Sequence, residues 1–112
     1  MAIPEGDAEL VRTWAATRVP EQYLDQMRVE VDVTDRSLTI FECRPPWEGD
    51  AEPEWFRMPV ARLTYVKKRN EWTLYWSDRN DKFQRYDLLD PSQHVTVLLA
   101  EIDDDPTALF WG

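Results

Sequence analysis

The sequence predicts an α+β fold, with one helix near each end and about five antiparallel strands in meander order between them. The C-terminal helix is expected to pack on the sheet. Three observations carry this reading. Apolar residues recur at helical spacing over residues 5–17 and again over 95–102, and the stretch between alternates with a period of two. The connections are short, which favours pairing between neighbouring strands. A length of 112 residues suits one domain, and no repeat, low-complexity tract or linker divides the chain.

Taken in order, Leu10, Val11, Trp14 and Ala15 set a helix over residues 5–17, with Asp7 and Glu9 at its positive end. Pro20 stops it and can start a short turn through Leu24. In residues 28–33, Val29, Val31 and Val33 take one face and charged residues the other. A two-residue turn at Asp35-Arg36 pairs Val33 with Leu38 and Val31 with Ile40. Phe41 and Cys43 then fall on the opposite face, so either that face is covered as well or a bulge shifts the register. Pro45-Pro46 ends this strand, and residues 47–54 read as an acidic loop.

Residues 60–86 hold three β-branched and aromatic runs separated by Arg69-Asn70 and by residues 78–81. With Arg69-Asn70 as the turn, Lys67 faces Trp72, Tyr65 faces Leu74 and Leu63 faces Trp76. The other side carries Arg62, Thr64, Val66, Thr73, Tyr75 and Ser77, and a third strand runs from Lys82 to Tyr86. Asp90 as cap, Pro91 at the first helical position and Gln93 announce a second helix whose stripe is Val95, Leu98, Leu99 and Ile102. Three acids at its end, residues 103–105, oppose the helix dipole, so that end frays or is compensated by bases. Leu109, Phe110 and Trp111 are too apolar to leave in water and should dock on the sheet, with Trp111 largely buried.

The net charge of −9 is unevenly spread. Residues 57–85 hold eight bases against Glu71, Asp78 and Asp81, a net of +5, whereas residues 86–112 hold six acids and no base. Overall acidity repels nucleic acid and anionic lipid at long range, but a local basic face can still act within a Debye length of about 8–10 Å. The single cysteine, Cys43, cannot form an internal disulfide, and the N-terminus lacks the pattern of a signal peptide. No run is long and apolar enough to span a membrane, so a cytoplasmic protein with no membrane partner is expected.

Catalytic groups are few. His94 is the only histidine, placed in the first turn of a predicted helix, and Cys43 lies inside a strand. No phosphate loop, zinc-protease or serine-hydrolase motif is present. Enzyme activity, cofactors and metal ligands are therefore not expected, and no catalytic residue is assigned. The candidate binding surface is Arg44, Trp47, Arg62, Tyr75, Arg79, Arg85 and Tyr86, a set of guanidinium and aromatic groups of the kinds enriched at binding hot spots. Arg57 and Gln84 belong to the wider set from which this surface is drawn.

Several segments together resemble a family of small bacterial proteins of unknown function. They are Arg44-Pro45-Pro46-Trp47, residues 59–63, the run from Trp72 to Asn80, Arg85-Tyr86-Asp87 and the ending from Asp105 to Gly112. The likeness covers residues 27–112 and implies no reaction. Its pattern commonly has His where this chain has Gln84, and Gly where it has Ala108. The first departure weakens an acid–base role on the third meander strand, and the second bears on how the tail turns.

The chain is accordingly expected to be a non-catalytic module that binds a protein partner or itself. The alternative is a single-stranded nucleic acid or nucleotide binder using Arg62, Tyr75, Arg85 and Tyr86 on the outer sheet face. A weaker alternative is a metal-dependent hydrolase built on Glu30, Asp32 and Glu42.

Overall fold

The computed structural model describes residues 3–46 and 54–111. The first helix, α1, spans Glu5–Ala16, opened by Pro4 in extended conformation and carrying Glu5 and Asp7 in its first turn. Its buried stripe is Ala8, Val11 and Ala15, while Leu10 is 48% exposed, contrary to the sequence expectation. A helix lying against a sheet buries only a narrow stripe, and Leu10 sits about 100° round from Val11. A single 3₁₀ turn, Glu21–Tyr23, follows Pro20.

Five strands form one antiparallel sheet in chain order: β1 (Arg28–Val33), β2 (Ser37–Arg44), β3 (Phe56–Val66), β4 (Glu71–Ser77) and β5 (Phe83–Arg85). The first hairpin has the expected register, Val33 with Leu38 and Val31 with Ile40. A bulge follows between Ile40 and Phe41, where β3 contributes the extra residue Val60, and both Val60 and Ala61 are buried.

The second hairpin departs from expectation. Its turn spans four residues, 67–70, with Asn70 in the left-handed region at φ 51°. Tyr65 therefore lies opposite Trp72, Leu63 opposite Leu74 and Ala61 opposite Trp76, a shift of two residues. Because the side-chain period is also two, the shift keeps every residue on its expected face. It replaces the anticipated contact of Lys67 on Trp72 with a Tyr65–Trp72 ring pair, centroids 5.1 Å apart.

The second helix, α2, spans Val95–Asp104 and begins later than its sequence signals suggest. Ser92 is held in an extended bridge to Trp72, its N–H donating to Trp72 O at 3.0 Å and its carbonyl accepting from Trp72 N at 2.7 Å. Asp90 and Pro91 therefore belong to the approach, and His94 becomes the N-cap position with no side-chain cap. The apolar stripe is the expected one, with Val95, Leu98, Leu99 and Ile102 all buried. At the acidic end, Asp103 accepts from Trp14 Nε1 at 3.0 Å and pairs with Arg18, so a base just beyond α1 compensates it.

Asp105 takes φ 42° and its carboxylate accepts the N–H groups of Phe110 (3.0 Å) and Trp111 (2.9 Å), folding the tail back. Ala108, where the resembled pattern has Gly, sits at φ 58°, a region that glycine occupies without strain. Phe110 is buried. Trp111 is half-buried rather than largely buried, its indole N–H donating to Ile102 O at 2.9 Å.

Both helices and the tail cover one face of the sheet. The core there is Val11, Leu38, Ile40, Leu63, Trp72, Leu74, Tyr86, Leu98, Ile102 and Phe110 with their neighbours. Trp72 is fully buried and donates its indole N–H to Asp7 Oδ2 at 2.9 Å, tying β4 to α1. No helix among the described residues is long and apolar enough to cross a membrane.

Candidate functional site: the open face of the sheet

Alternation sends the remaining strand residues to the face that carries no helix. Registration across the sheet sets Asp32, Thr39, Arg62, Tyr75 and Arg85 in one row, each opposite the next on the neighbouring strand. Residues so paired have Cβ atoms about 4.5–5.5 Å apart, so Arg62 and Arg85 flank the Tyr75 ring.

The two halves of this face differ in charge balance. On the β1–β2 side, Arg57 meets Glu30 at 3.3 Å and Asp32 at 2.8 Å and stacks on Phe41 at 4.1 Å. Hydrogen bonding to Asp32 holds the Arg57 guanidinium more strongly protonated than usual. Arg28 stacks on Trp55 at 4.1 Å, and Cys43 lies between Arg28 and Arg57 in register. Cys43 is fully buried, and burial first, then the nearby Glu30 charge, push its thiol above the ordinary range. So both readings of Phe41 and Cys43 apply: a bulge is present, and side chains roof that part of the face.

On the β3–β5 side the basic groups form no ion pair among the described residues. Arg62 is stacked on Phe83 at 4.2 Å and donates Nε–H to Thr39 Oγ1 at 3.1 Å. Among the described residues, no carboxylate lies within ion-pair distance of Arg62 or Arg85. The ring and the hydroxyl fix the guanidinium plane, while its two terminal nitrogens have no hydrogen-bond partner among the described residues and form a fork. Opposite Phe83 on β4, the Ser77 hydroxyl is buried with no hydrogen-bond partner among the described residues.

Three of the seven candidates, Arg62, Tyr75 and Arg85, thus come together on this face. Arg79 is exposed in the β4–β5 turn. There Asp78 accepts from Gln84 Nε2 and from the N–H groups of Lys82 and Asn80, which hold its carboxyl below the usual range. Arg44 lies apart from the row, at the end of β2, paired with Glu42 at 3.4 Å. Trp47 and most of the acidic loop lie outside the described residues.

Tyr86 corrects the sequence reading. It is 1% exposed, on the helix-covered side, and donates its hydroxyl to Glu101 Oε2 at 2.7 Å. Adjacent strand residues point to opposite faces, so Arg85 and Tyr86 cannot share a surface. Burial, then the Glu101 bond, raise its phenol pKa. The same rule divides the three carboxylates named for the metal alternative. Glu42 pairs with Val29 on the valine side, whereas Glu30 and Asp32 lie opposite Phe41 and Thr39 on the open side. No metal-ligand cluster occurs among the described residues.

Sequence reading missed Thr39 and Phe83, which position Arg62, and Arg36 and Lys68, which line a cavity with Thr64 and Val66 at the β3–β4 turn. The signal for the first pair was the period-two pattern carried across strands in register.

The sequence matches the family described as "Domain of unknown function (DUF3024)" over residues 3–112. The chain belongs to this family. The match takes in α1 as well as residues 27–112. Comparison with curated proteins and with solved structures found no match. The DUF3024 description assigns no reaction, so a functional reading starts from the geometry of the open face.

Proposed function

We propose that this DUF3024 chain is a non-catalytic binding module whose working surface is the β3–β5 half of the open sheet face. The observation that carries this is Arg62: a half-buried guanidinium held by Phe83 and Thr39, without a carboxylate partner among the described residues of a chain with 22 acids. Positioning a charge in this way at a surface is of use to an external anionic group. The lone thiol supports work in a reducing compartment, as expected for a cytoplasmic protein. The row of side chains across strands supports a macromolecular partner, whether a protein, a second copy or a nucleic acid strand.

Site-specific photo-crosslinking in cells tests this. A photoreactive residue at Val66, which lies on the open face and is 37% exposed, should capture a discrete partner. The same residue at Val97 on α2, 40% exposed, should not. Capture from Val97 and not from Val66 would place the working surface elsewhere, and capture from neither would end the reading.

A further inference from the structure

We infer that the open face binds single-stranded nucleic acid, with the strand lying along β4. This rests on the open-face reading and names its ligand. At the β3–β4 turn a cavity of about 410 Å³ is lined by Arg36, Thr64, Tyr65, Val66, Lys67 and Lys68, three bases and no acid. Thr64 lies on the same face as Arg62, two residues and about 6.6 Å along the strand. Next comes the row in which Arg62 and Arg85 flank Tyr75. Arg79 and Lys82 follow at the opposite end of β4, in the turn to β5. Basic groups therefore mark both ends and the middle of a path whose seven β4 residues span about 23 Å.

The chemistry of the path favours a nucleic acid over a protein partner. Apart from Val66, this half of the face presents Thr64, Tyr75 and Phe83 beside the two arginines, with Thr73 and the Ser77 hydroxyl buried among them. A protein interface buries an apolar centre, which is lacking among these residues. Grooves that accept single strands combine backbone-tracking bases with aromatic faces on which nucleobases stack. Carboxylates near the path are Glu71, opposite Val66, and Asp78 and Asp81 in the β4–β5 turn, where Asp78 is engaged by Gln84, Lys82 and Asn80. The net charge of −9 resists a long polyanion, so short single strands bind better than duplex.

Fluorescence anisotropy with labelled single-stranded RNA and DNA of about twelve nucleotides, titrated with the full chain from about 50 to 200 mM salt, tests the proposal. Binding should weaken as salt rises. The R62A/R85A variant should lose at least tenfold in affinity at the lowest salt, and its salt slope should flatten by about 1.4, two contacts at roughly 0.7 each. K67A/K68A should weaken binding without changing the melting temperature, and Y75L should lose about tenfold through lost stacking. Arg12→Ala on α1 should change nothing. Oligonucleotide binding that is equal in wild type and R62A/R85A would overturn both this proposal and the open-face reading. If labelled polyglutamate binds through Arg62 and oligonucleotides do not, the nucleic acid proposal falls and the open face stands as an acidic-protein site. Binding of neither probe overturns the proposal as well.

Discussion

On the side that meets the helices, β2, β3 and β4 present Leu38, Ile40, Ala61, Leu63, Trp72 and Leu74, none more than 2% exposed. On the other side the same three strands present Thr39, Phe41, Arg62, Thr64, Thr73 and Tyr75. Alternate residues of one backbone thus build an apolar floor for α1 and α2 and a polar, aromatic and cationic surface for something else. The first face is paid for by two helices and a tail folded over it. The second is ordered by its own side chains, guanidinium on ring and hydroxyl on guanidinium. The difference teaches that stability and binding are separable here by strand parity, so substitutions on the two faces should act on different measurements.

The largest effect is expected from the covered face. Trp72→Ala removes a fully buried ring and leaves the Asp7 carboxylate without its indole donor, at a cost of about 3–5 kcal/mol. The melting temperature should fall by more than about fifteen degrees. A variant melting within five degrees of wild type would mean that the covered face is not the stabilising one.

Deleting residues 109–112 removes the lid over that face: the buried Phe110, the Trp111 bond to Ile102 and both N–H bonds to Asp105. The melting temperature should fall by more than about ten degrees, at roughly 4–8 °C per kcal/mol. A shift of two or three degrees would show the tail to be free.

Tyr86→Phe tests the polar contact inside the covered face and should cost about 1 kcal/mol at neutral pH. The pH dependence sharpens it. An acid whose folded pKa is raised contributes stability that is complete below its unfolded pKa and is lost as pH rises through the folded value. Wild-type stability should therefore decline above about pH 8.5–10, through Cys43 first and Tyr86 next. Urea unfolding of Tyr86→Phe should show a shallower alkaline decline than wild type, and an identical decline would remove Tyr86 as a cause.

The smallest stability change belongs to the open face. Arg62→Ala loses the stack on Phe83 and the bond to Thr39 and should cost no more than about 1 kcal/mol. A loss as large as that of Trp72→Ala would collapse the distinction between the faces.

Sequence alone determined the order and type of every element, because helical and period-two spacing are properties of neighbouring residues, as Val29-Val31-Val33 and Val95-Leu98-Leu99-Ile102 show. It also determined which residues of the β3–β4 hairpin share a face, since parity survives a register shift of two. Tertiary structure decided the rest. The β3–β4 register followed from a four-residue turn admitted by Asn70 at positive φ, and α2 began late because Ser92 was taken by Trp72, far away in sequence. Tyr86 went inward because the short β5 placed it opposite Leu74, where its N–H donates to the Leu74 carbonyl at 2.9 Å. Above all, only the assembled fold decided that both helices roof the same face. A strand's alternation defines two sides, but which side is covered depends on packing between elements distant along the chain, and that choice left Arg62, Tyr75 and Arg85 in the open.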